Sequence, residues 1–371
     1  MHLTLVSHNI ISGDGQGRAN YEIVKYALGA GTRVTMMADR VAPDLVPAGA
    51  RWIPIHPGLE KPNLFKVWRS AQLADGAIRR ETRRGDLLHG CGYTLTSPHS
   101  VNTSQFVHRA WLASPVHTSR IYRNGYGFYQ WLYSFMNARF EQRSYAVASH
   151  VVAVSRRVQS ELEAIGVDPA RIRVIHNGVD PREFYPGRGD RDELGLPASA
   201  PLLLFVGDIR TPRKNLDTVL KALALTPRAH LAVVGNTAKS PYPAMAAELG
   251  VAERVHFLGY RSDVPRLMRS ADIFLCPSRY EACTLVLLEA MASGLPVITA
   301  ETTGGSEVLE PECGIRVQDP NDAEALAEAQ RMLLDDTAKR AAMGDAAREV
   351  AMKYTWDRIA ESYMSLYREV A

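Results

Sequence analysis

Two glutamates, Glu281 and Glu289, lie on either side of the start of an apolar segment in "SRYEACTLVLLEAMASGLPVI", residues 278–298. Between Thr284 and Ser293 the remaining side chains are apolar apart from Glu289, so the pattern predicts a mostly buried helix. An ionised carboxylate in such a helix is costly unless it accepts hydrogen bonds. At about 100° per residue, positions eight apart do not share one helical face, so we expect one glutamate in the loop and the other on the helix.

The start of this predicted helix is a candidate anion site. We expect the backbone N–H groups of Cys283, Thr284 and Leu285 to be free there, and a helix N-terminus favours negative charge. A diphosphate bound to these groups would leave one carboxylate on each side to accept hydrogen bonds from hydroxyl groups. The spacing therefore indicates a nucleoside diphosphate that carries a sugar. The alternative, for both Glu281 and Glu289, is a carboxylate with an internal partner.

A second candidate site is the basic loop in "FVGDIRTPRKNLDTVLKAL", residues 205–223. The predicted strand ends at Gly207, and Arg210, Arg213 and Lys214 follow before a predicted helix. Three cations beside the carboxyl end of a strand suit a diphosphate. The alternative is a solvated basic surface loop.

A glycine-rich loop follows the first predicted strand, with Gly13, Gly15 and Gly17 just before a helix. Glycines there let the backbone approach a ligand closely, and the helix N-terminus offers N–H groups to an anion. The GxGxG spacing differs from the GxGxxG of dinucleotide sites, and Asp39 is only a weak candidate for the acidic residue of such a site. A flexible turn is the alternative, and an NAD-dependent dehydrogenase is disfavoured.

Short apolar runs alternate with helical patterns along the whole chain, which is typical of βαβ units and parallel sheets. The segment 185–201 lacks apolar periodicity and is predicted to be a linker. We therefore predict an α/β protein with two doubly wound domains, 1–185 and 186–354, joined near residue 190 and facing across a deep cleft. The predicted strands are LTLVSHN, RVTMMAD, DLLHG, TSQFVH, HVVAVS, PLLLFVGD, HLAVVGN, RVHFLGY, DIFLCPS, PVITA and GIRVQ.

Charge is unevenly distributed in this chain of 371 residues, whose formal net charge is +3. Residues 1–183 contain 22 Lys and Arg but 14 Asp and Glu, a net of +8, so the remainder nets −5. A basic first half favours an anionic partner, such as a phosphate-bearing substrate or an acidic membrane surface. An uneven scatter of solvated charges is the alternative.

Composition and the first residues bear on location. The four cysteines form no CxxC pair, so we expect reduced thiols. "MHLTLVS" lacks the flanks of a signal peptide, and no window approaches the ~20 apolar residues of a membrane span. We expect a cytoplasmic protein, with peripheral contact at the inner face of the membrane left open.

Several segments, taken in order, resemble family 4 glycosyltransferases, which have the GT-B fold. The resemblance covers nearly the whole chain and is strongest after residue 148. "PSRYEACTLVLLEAMASGLPVITA" is similar to the E-x7-E region of that family. The other similar segments are ASHVVAVSRRVQSEL, RIRVIHNGVDPREFYP, RVHFLGYRSDVPRLMRSADIFLCPS and YTWDRIAESYMSLYREV.

The resemblance implies a retaining, metal-independent transfer of a sugar from a UDP-, GDP- or ADP-linked donor to a glycan, a lipid-linked molecule or a small molecule. It implies polysaccharide or glycoconjugate synthesis, with no cofactor beyond the donor and no nucleic-acid partner. The final helix, about 355–371, would pack back onto the first domain.

Individual roles also follow from the resemblance. Glu281 matches the glutamate that contacts the donor sugar, and Glu289 the one that holds the ribose. Lys214 matches the diphosphate lysine, and His108 the histidine near the donor sugar. Gly15, Gln16 and Gly17 match the glycine loop that faces the diphosphate.

Two positions depart from the family pattern. Asp208 replaces an arginine, so Arg210 or Arg213 is expected to supply the missing charge. Glu281-Ala282-Cys283-Thr284 replaces Glu-Gly-Phe-Gly, and Thr284 narrows the space beside the donor sugar, which bears on the identity of that sugar.

Three interpretations remain open. The aromatic run 122–140 is either a long helix packed on the sheet or an acceptor-side or membrane-facing surface. A nucleotide-sugar epimerase of the same fold would turn over its donor without an acceptor. A non-catalytic sugar-nucleotide-binding relative would bind without turnover, and Asp208 is its best support.

Overall fold

The chain is described by a computed structural model over residues 1–13, 15–58, 61–83 and 85–371. It divides into two units, which we consider separately. Unit 1 comprises Met1–Gly178 with Trp356–Ala371, and unit 2 comprises Val179–Thr355.

This division corrects the predicted boundary at residue 185 and the predicted linker near residue 190. Phe184, Leu194 and Leu196 are buried in the hydrophobic core of unit 2. Arg191 also donates a hydrogen bond to the Ser270 carbonyl at 2.8 Å. The sequence pattern of a linker arises because apolar residues are sparse in this segment, yet its two leucines contribute to the core.

Unit 1 is built on a seven-stranded parallel sheet in the order β5-β3-β1-β6-β7-β8-β9, beside which β2 and β4 form a separate parallel pair. Its strands are β1 (His2–Val6), β2 (Asn9–Ile10), β3 (Arg33–Ala38), β4 (Arg40–Val41), β5 (Arg51–Pro54), β6 (Leu87–Cys91), β7 (His99–Ser104), β8 (Ala148–Ala153) and β9 (Ile172–Val174). Its helices are α1 (Gly15–Gly29), α2 (Asn63–Glu81), α3 (His108–Ala113), α4 (Thr118–Ile121), α5 (Gly125–Val147) and α6 (Arg156–Ala164).

Strand β7 corrects the predicted strand at residues 103–108. The strand begins at His99 and ends at Ser104. This polar segment can be a buried strand because its side chains have hydrogen-bond partners inside the unit. Asn102, for example, donates to the Ser144 hydroxyl at 3.0 Å. A buried strand can be polar where hydrogen bonds satisfy it, and apolar periodicity misses such a strand.

Unit 2 is a six-stranded parallel sheet in the order β12-β11-β10-β13-β14-β15. Its strands are β10 (Leu202–Val206), β11 (His230–Val234), β12 (Val255–Phe257), β13 (Ile273–Cys276), β14 (Val297–Ala300) and β15 (Gly314–Val317). Its helices are α7 (Leu216–Ala224), α8 (Tyr242–Glu248), α9 (Val264–Ser270), α10 (Leu285–Ala292), α11 (Ala323–Asp335) and α12 (Thr337–Ala351). The continuous apolar runs of β10, β13 and β14 are buried on both faces, as parallel strands covered by helices require.

The last helix, α13 (Trp356–Val370), belongs to unit 1 and packs against α1. The hydroxyl of Tyr26 on α1 donates a 2.7 Å hydrogen bond to the carboxylate of Glu361 on α13. Deeper in the unit, the Tyr367 hydroxyl lies 2.6 Å from Nδ1 of His89. Nε2 of His89 lies 2.8 Å from the Thr103 hydroxyl, so one fully buried imidazole joins this helix to the sheet.

We expect His89 to make unit 1 sensitive to acid. Burial, together with a smaller effect of His99, lowers the pKa of His89 from 6.5 to about 3. Between these pH values the unfolded chain binds a proton that the folded chain does not, so the free energy of unfolding falls as the pH falls. The contribution is about 1.4 kcal/mol per pH unit.

The His89→Asn variant tests this contribution. It should be less stable than the wild type near neutral pH, yet its stability should depend less steeply on pH below about 6.5. Urea titrations at several pH values, followed through the transition of unit 1, measure the difference in slope. The exposed His56→Asn substitution is the matched control. An unchanged slope in His89→Asn would show that the imidazole is protonated in the folded state.

Candidate functional site

The topology of each sheet predicts where a ligand binds. In unit 2 the strand order reverses between β10 and β13, and in unit 1 it reverses between β1 and β6. Ligands of open α/β sheets bind outside the carboxyl ends of the strands at such reversals. The loops that follow β10, β13 and β14 in unit 2, and β1, β6 and β7 in unit 1, are therefore the places to look for functional side chains.

In unit 2, the loop after β10 brings two cations to one carboxylate. Lys214 Nζ lies 2.5 Å from Glu281 Oε2, and Arg213 Nη1 lies 3.1 Å from the same oxygen. Lys214 Nζ also lies 3.4 Å from the Thr284 hydroxyl. The sequence-predicted Arg213, Lys214, Glu281 and Thr284 thus form one cluster, which we call the cation cluster.

Electrostatics leave the cation cluster with an excess of positive charge. Burial raises the pKa of Glu281, but the charges of Lys214 and Arg213 lower it, and the balance lies below its ordinary value. Glu281 is therefore ionised at neutral pH, and its side chain is only 13% exposed. Two cations on one anion leave a net charge of +1, so the cluster can accept an anion without first gaining a proton.

Other residues hold this loop in place, and the sequence reasoning missed them. Asn215 is fully buried with φ +68°, and its amide donates to the Pro277 carbonyl at 2.9 Å. Arg279 donates to Asp217 at 2.8 Å and to the Pro212 carbonyl at 2.9 Å. The available signal was the asparagine between the basic residues and the helix, because asparagine tolerates the left-handed conformation.

Arg210 pairs with Asp208, and it takes no part in the contacts that define the cation cluster. Its Nε lies 2.8 Å from Asp208 Oδ1, and its backbone N–H donates to the same oxygen at 3.1 Å. Burial raises the pKa of Asp208, but hydrogen bonds from Arg210 lower it more, so the aspartate is ionised. The charges of Arg210 and Asp208 offset each other, so the repulsion of an anion expected at Asp208 is reduced locally. That Arg213 supplies the additional charge remains a prediction.

Helix α10 begins beside the cation cluster, at Leu285, with Thr284 as its N-cap residue. The expectation of a free Thr284 N–H is wrong, because this group donates to the Gly304 carbonyl at 3.3 Å. In return the Gly304 N–H donates to the Glu281 carbonyl at 2.9 Å. The first N–H groups of the helix still have no acceptor within it, and Leu285 provides the first of them.

Glu281 and Glu289 lie in different elements, as the spacing predicted. Glu281 is in the loop after β13 and forms an isolated bridge with Thr303. Glu289 lies on α10 at a half-buried position, next to the fully buried Ala290. The assignment of Glu289 to a ribose remains a prediction.

The turn after β14 supports the glutamate loop, and the sequence reasoning missed it as well. A Cβ at Gly304 would lie 2.0 Å from the Ala282 carbonyl oxygen and 2.4 Å from the Glu281 carbonyl oxygen. Only glycine permits such a close approach of two backbones. The signal in the sequence was a glycine pair separated by three residues from the end of the buried strand β14.

We expect Gly304→Ala to displace the glutamate loop and weaken anion binding. The clash would break both backbone hydrogen bonds described above, with an expected loss of about 1–3 kcal/mol in the free energy of unfolding. Affinity for a nucleoside diphosphate should fall about tenfold or more, because loss of positioning at a charged site costs about 1.4 kcal/mol or more. Calorimetric titration measures the affinity. Gly29→Ala is the control, since nothing lies within 4 Å of a Cβ there, and equal affinity in both variants would contradict the prediction.

In unit 1, His108 and Gln16 line one cavity of about 150 Å³ at the carboxyl edge of the sheet. Gln16 follows β1, Gly92 follows β6, and His108 follows β7, so the cavity lies where the strand order reverses. Tyr133 from α5 also lines it. Gly15, Gln16 and Gly17 belong to the first turn of α1 rather than to a loop, which corrects the predicted glycine loop.

Both carboxylate oxygens of Glu141 contact His108. Nδ1 of His108 lies 2.6 Å from Glu141 Oε1, and the His108 backbone N–H donates to Oε2 at 3.0 Å. The paired Nδ1 fixes the ring orientation, so Nε2 is the nitrogen left to act on a ligand. The sequence reasoning did not select Glu141. The feature of the sequence that could have pointed to Glu141 is that it is the single carboxylate among residues 108–143.

Two family models match the chain in order. "Glycosyltransferase Family 4" matches residues 13–183, and "Glycosyl transferases group 1" matches residues 188–350. Among curated proteins, the D-inositol 3-phosphate glycosyltransferase of Corynebacterium glutamicum is 35% identical over 59% of this chain and 56% of its own length. The chain thus spans about half the length of that relative. The enzyme of the same name from Corynebacterium efficiens is 32% identical over 82% of this chain and 78% of its own length.

Solved structures agree on the fold. A sucrose-phosphate synthase from Thermosynechococcus elongatus is 23% identical and covers 99% of this chain and 98% of its own, with a TM-score of 0.78. WaaG, a glycosyltransferase involved in lipopolysaccharide biosynthesis, is 22% identical and covers 100% of this chain and 99% of its own. Its TM-score is also 0.78. The two models and the relative matched over 78% of its length show that this chain belongs to the family 4 glycosyltransferases, with the GT-B fold of two Rossmann-like domains.

Proposed function

We propose that this chain is a retaining glycosyltransferase that moves a sugar from a nucleoside-diphosphate sugar to a hydroxyl group of an acceptor. The observation that carries the proposal is the cation cluster, where Lys214 and Arg213 meet Glu281 beside the start of α10. Similarity to HepE from Anabaena, which has been crystallised with UDP and with UDP-glucose, supports a nucleotide-sugar donor.

The cation cluster suits the charge that develops in this reaction. When the bond between the anomeric carbon and the phosphate oxygen breaks, its electron pair goes to that oxygen. Lys214, Arg213 and the first N–H groups of α10 stabilise the resulting negative charge. Because these groups are already in place, little reorganisation is needed as the charge grows.

The acceptor completes the reaction from the same face as the leaving group. Its oxygen forms the new bond to the anomeric carbon, and its proton passes to the departing phosphate oxygen. This route retains the anomeric configuration and needs no protein general base. Glu281 and Glu289 would accept hydrogen bonds from hydroxyl groups of the donor. Nε2 of His108 would accept one from a hydroxyl group of the donor sugar, because Nδ1 carries the proton that is donated to Glu141.

The acceptor is proposed only by class: a glycan, a lipid-linked molecule or a small molecule. WaaG is described as acting in lipopolysaccharide biosynthesis, and the Corynebacterium relatives are named for D-inositol 3-phosphate. The named relatives are glycosyltransferases or synthases, which gives no support to an epimerase.

Thermal shift with UDP, GDP and ADP and their sugars tests the donor site first. We expect one nucleoside diphosphate to stabilise the chain, and its sugar to be hydrolysed slowly or transferred when an acceptor panel is added. Nuclear magnetic resonance of the product reads the anomeric configuration, and a chelator tests metal independence. Binding without turnover would favour the non-catalytic alternative, and turnover of donor without acceptor into an isomer would favour the epimerase.

A further inference from the structure

The first half of helix α5 is inverted relative to an ordinary surface helix. Its buried residues include Gly127, Ser134 and Asn137, whereas Phe128 is 64% exposed and Tyr126 is 56% exposed. A surface helix normally buries its apolar stripe and presents polar side chains to water. Large aromatic side chains left in water forgo the free energy that burial would release. This face is therefore suited to contact with another apolar phase.

The outward aromatic side chains form a continuous stripe. Phe128 stacks on Trp131 with ring centroids 6.0 Å apart, and Trp131 stacks on Phe135 at 5.2 Å. The guanidinium of Arg139 lies 5.0 Å from the centre of the Phe135 ring. These residues are three or four apart in sequence, so they share one side of the helix.

Exposed aromatic side chains also lie on neighbouring helices. Phe65 and Trp68 on α2, which packs against α5, are 57% and 47% exposed. At the other end, Tyr122 packs edge-to-face on Tyr126 at 5.7 Å. We call the exposed aromatic and aliphatic side chains of this region the docking surface, which comprises Phe65, Trp68, Ile121, Tyr122, Tyr126, Phe128 and Trp131.

The charge on the helices of the docking surface is mostly positive. Among residues 108–143 the single carboxylate is Glu141, which is buried and bonded to His108, whereas five arginines lie in the same stretch. On α2, Asp75 is buried and Glu81 pairs with Arg51. A second copy of the chain would bring these like charges together, so an anionic partner fits better. The arginines in residues 108–143 are Arg109, Arg120, Arg123, Arg139 and Arg143.

A cavity beside the aromatic stripe adds a place for a phosphate. It has a volume of about 340 Å³, and its lining includes Arg109, Arg139, Gln142 and Phe135. Two guanidinium groups beside an aromatic ring match a lipid phosphate with its adjoining acyl chain. None of the helices in the described parts of the chain has the length and apolarity needed to cross a bilayer.

We propose that the docking surface binds the surface of an anionic phospholipid bilayer. The aromatic stripe lies at the boundary between headgroups and acyl chains, and Arg109 and Arg139 contact lipid phosphates. Aromatic anchoring and electrostatic attraction together give reversible binding that weakens with salt. Binding of this kind needs neither donor nor acceptor, so it is independent of the proposed activity.

Cosedimentation of the full chain with vesicles tests the proposal. The vesicles are phosphatidylcholine alone, or phosphatidylcholine with roughly one third replaced by phosphatidylglycerol. We expect binding to the anionic vesicles, loss of most of that binding at high salt, and little binding to the neutral vesicles. The double variant Phe128→Ser/Trp131→Ser should reduce binding about tenfold or more, since it removes two aromatic anchors. Arg109→Gln/Arg139→Gln, which removes the two cations assigned to lipid phosphates, should reduce it by more than about tenfold, at about fivefold per cation.

Matched controls alter the same residue types elsewhere. Tyr260, which is 82% exposed in unit 2, gives the aromatic control Tyr260→Ser. Lys221→Gln/Lys339→Gln gives the charge control, since both lysines are exposed in unit 2. Circular dichroism of every variant verifies folding. Failure to bind anionic vesicles, equal binding to neutral vesicles, or equal loss in the controls would overturn the proposal. Self-association abolished by Phe128→Ser/Trp131→Ser would assign the surface to a second copy instead.

Discussion

Lys214→Ala should lower the rate of sugar transfer by about two to three orders of magnitude, the usual cost of removing one preorganised group that stabilises developing charge. The Lys214 ammonium lies 2.5 Å from Glu281 and is only 12% exposed, so no bulk solvent cation replaces it. Removing it leaves Arg213 alone against Glu281 and reduces the net charge of the cation cluster from +1 to zero. Affinity for the nucleoside diphosphate should fall as well.

Steady-state kinetics with the donor identified by thermal shift measures this effect. Lys214→Arg is the informative companion, because it keeps the charge while changing the geometry, and it should recover part of the rate. Lys221→Ala, at an exposed position on α7, is the control and should transfer sugar at the wild-type rate. If Lys214→Ala retained wild-type transfer, the role assigned to this lysine would be wrong.

His108→Ala should lower the rate of transfer by about one hundredfold, within the range found for a side chain that donates or accepts a proton or hydrogen bond at the reacting centre. The imidazole lines the cavity at the carboxyl edge of the unit 1 sheet, with Nε2 left to contact a ligand. His2→Ala is the control, because His2 begins β1 at the opposite edge of that sheet. Equal rates in the two variants would remove His108 from the site.

Glu141→Gln separates positioning from chemistry. The glutamine keeps the size of the side chain but loses the charge that holds Nδ1 of His108 at 2.6 Å. We expect a loss of about tenfold, smaller than for His108→Ala, with kcat lowered more than KM is raised. In the double variant His108→Ala/Glu141→Gln the second change should add little, because both act through one imidazole. Full additivity would show that Glu141 acts elsewhere.

The sheet of unit 2 could be predicted almost completely, since β10 to β15 are short apolar runs at regular spacing. Unit 1 was harder. Strand β7 is polar inside, and its Asn102 and Thr103 depend on partners far along the chain. The boundary at Gly178–Val179 was also missed, because Leu194 and Leu196 enter a core that only the folded unit defines.

The candidate site likewise has a part that the sequence predicted and a part that depends on tertiary contacts. The residue types in the basic loop and in the glutamate loop predicted charge-bearing groups, and the structure brings Arg213, Lys214 and Glu281 together. It also places Arg210 on Asp208, which no spacing rule indicates, because an arginine pairs with whichever carboxylate the loop brings within reach.

Local pattern was enough to determine the α/β class, the family, and which side chains could meet an anion, because strand periodicity and residue chemistry are carried by neighbours in the chain. Tertiary structure alone decided that the Gly304 carbonyl accepts a hydrogen bond from the Thr284 N–H and that Glu141 orients His108. It also decided that α5 presents its aromatic face to solvent. Hydrogen bonds and burial depend on distances in space between residues far apart in sequence, and no local pattern encodes those distances.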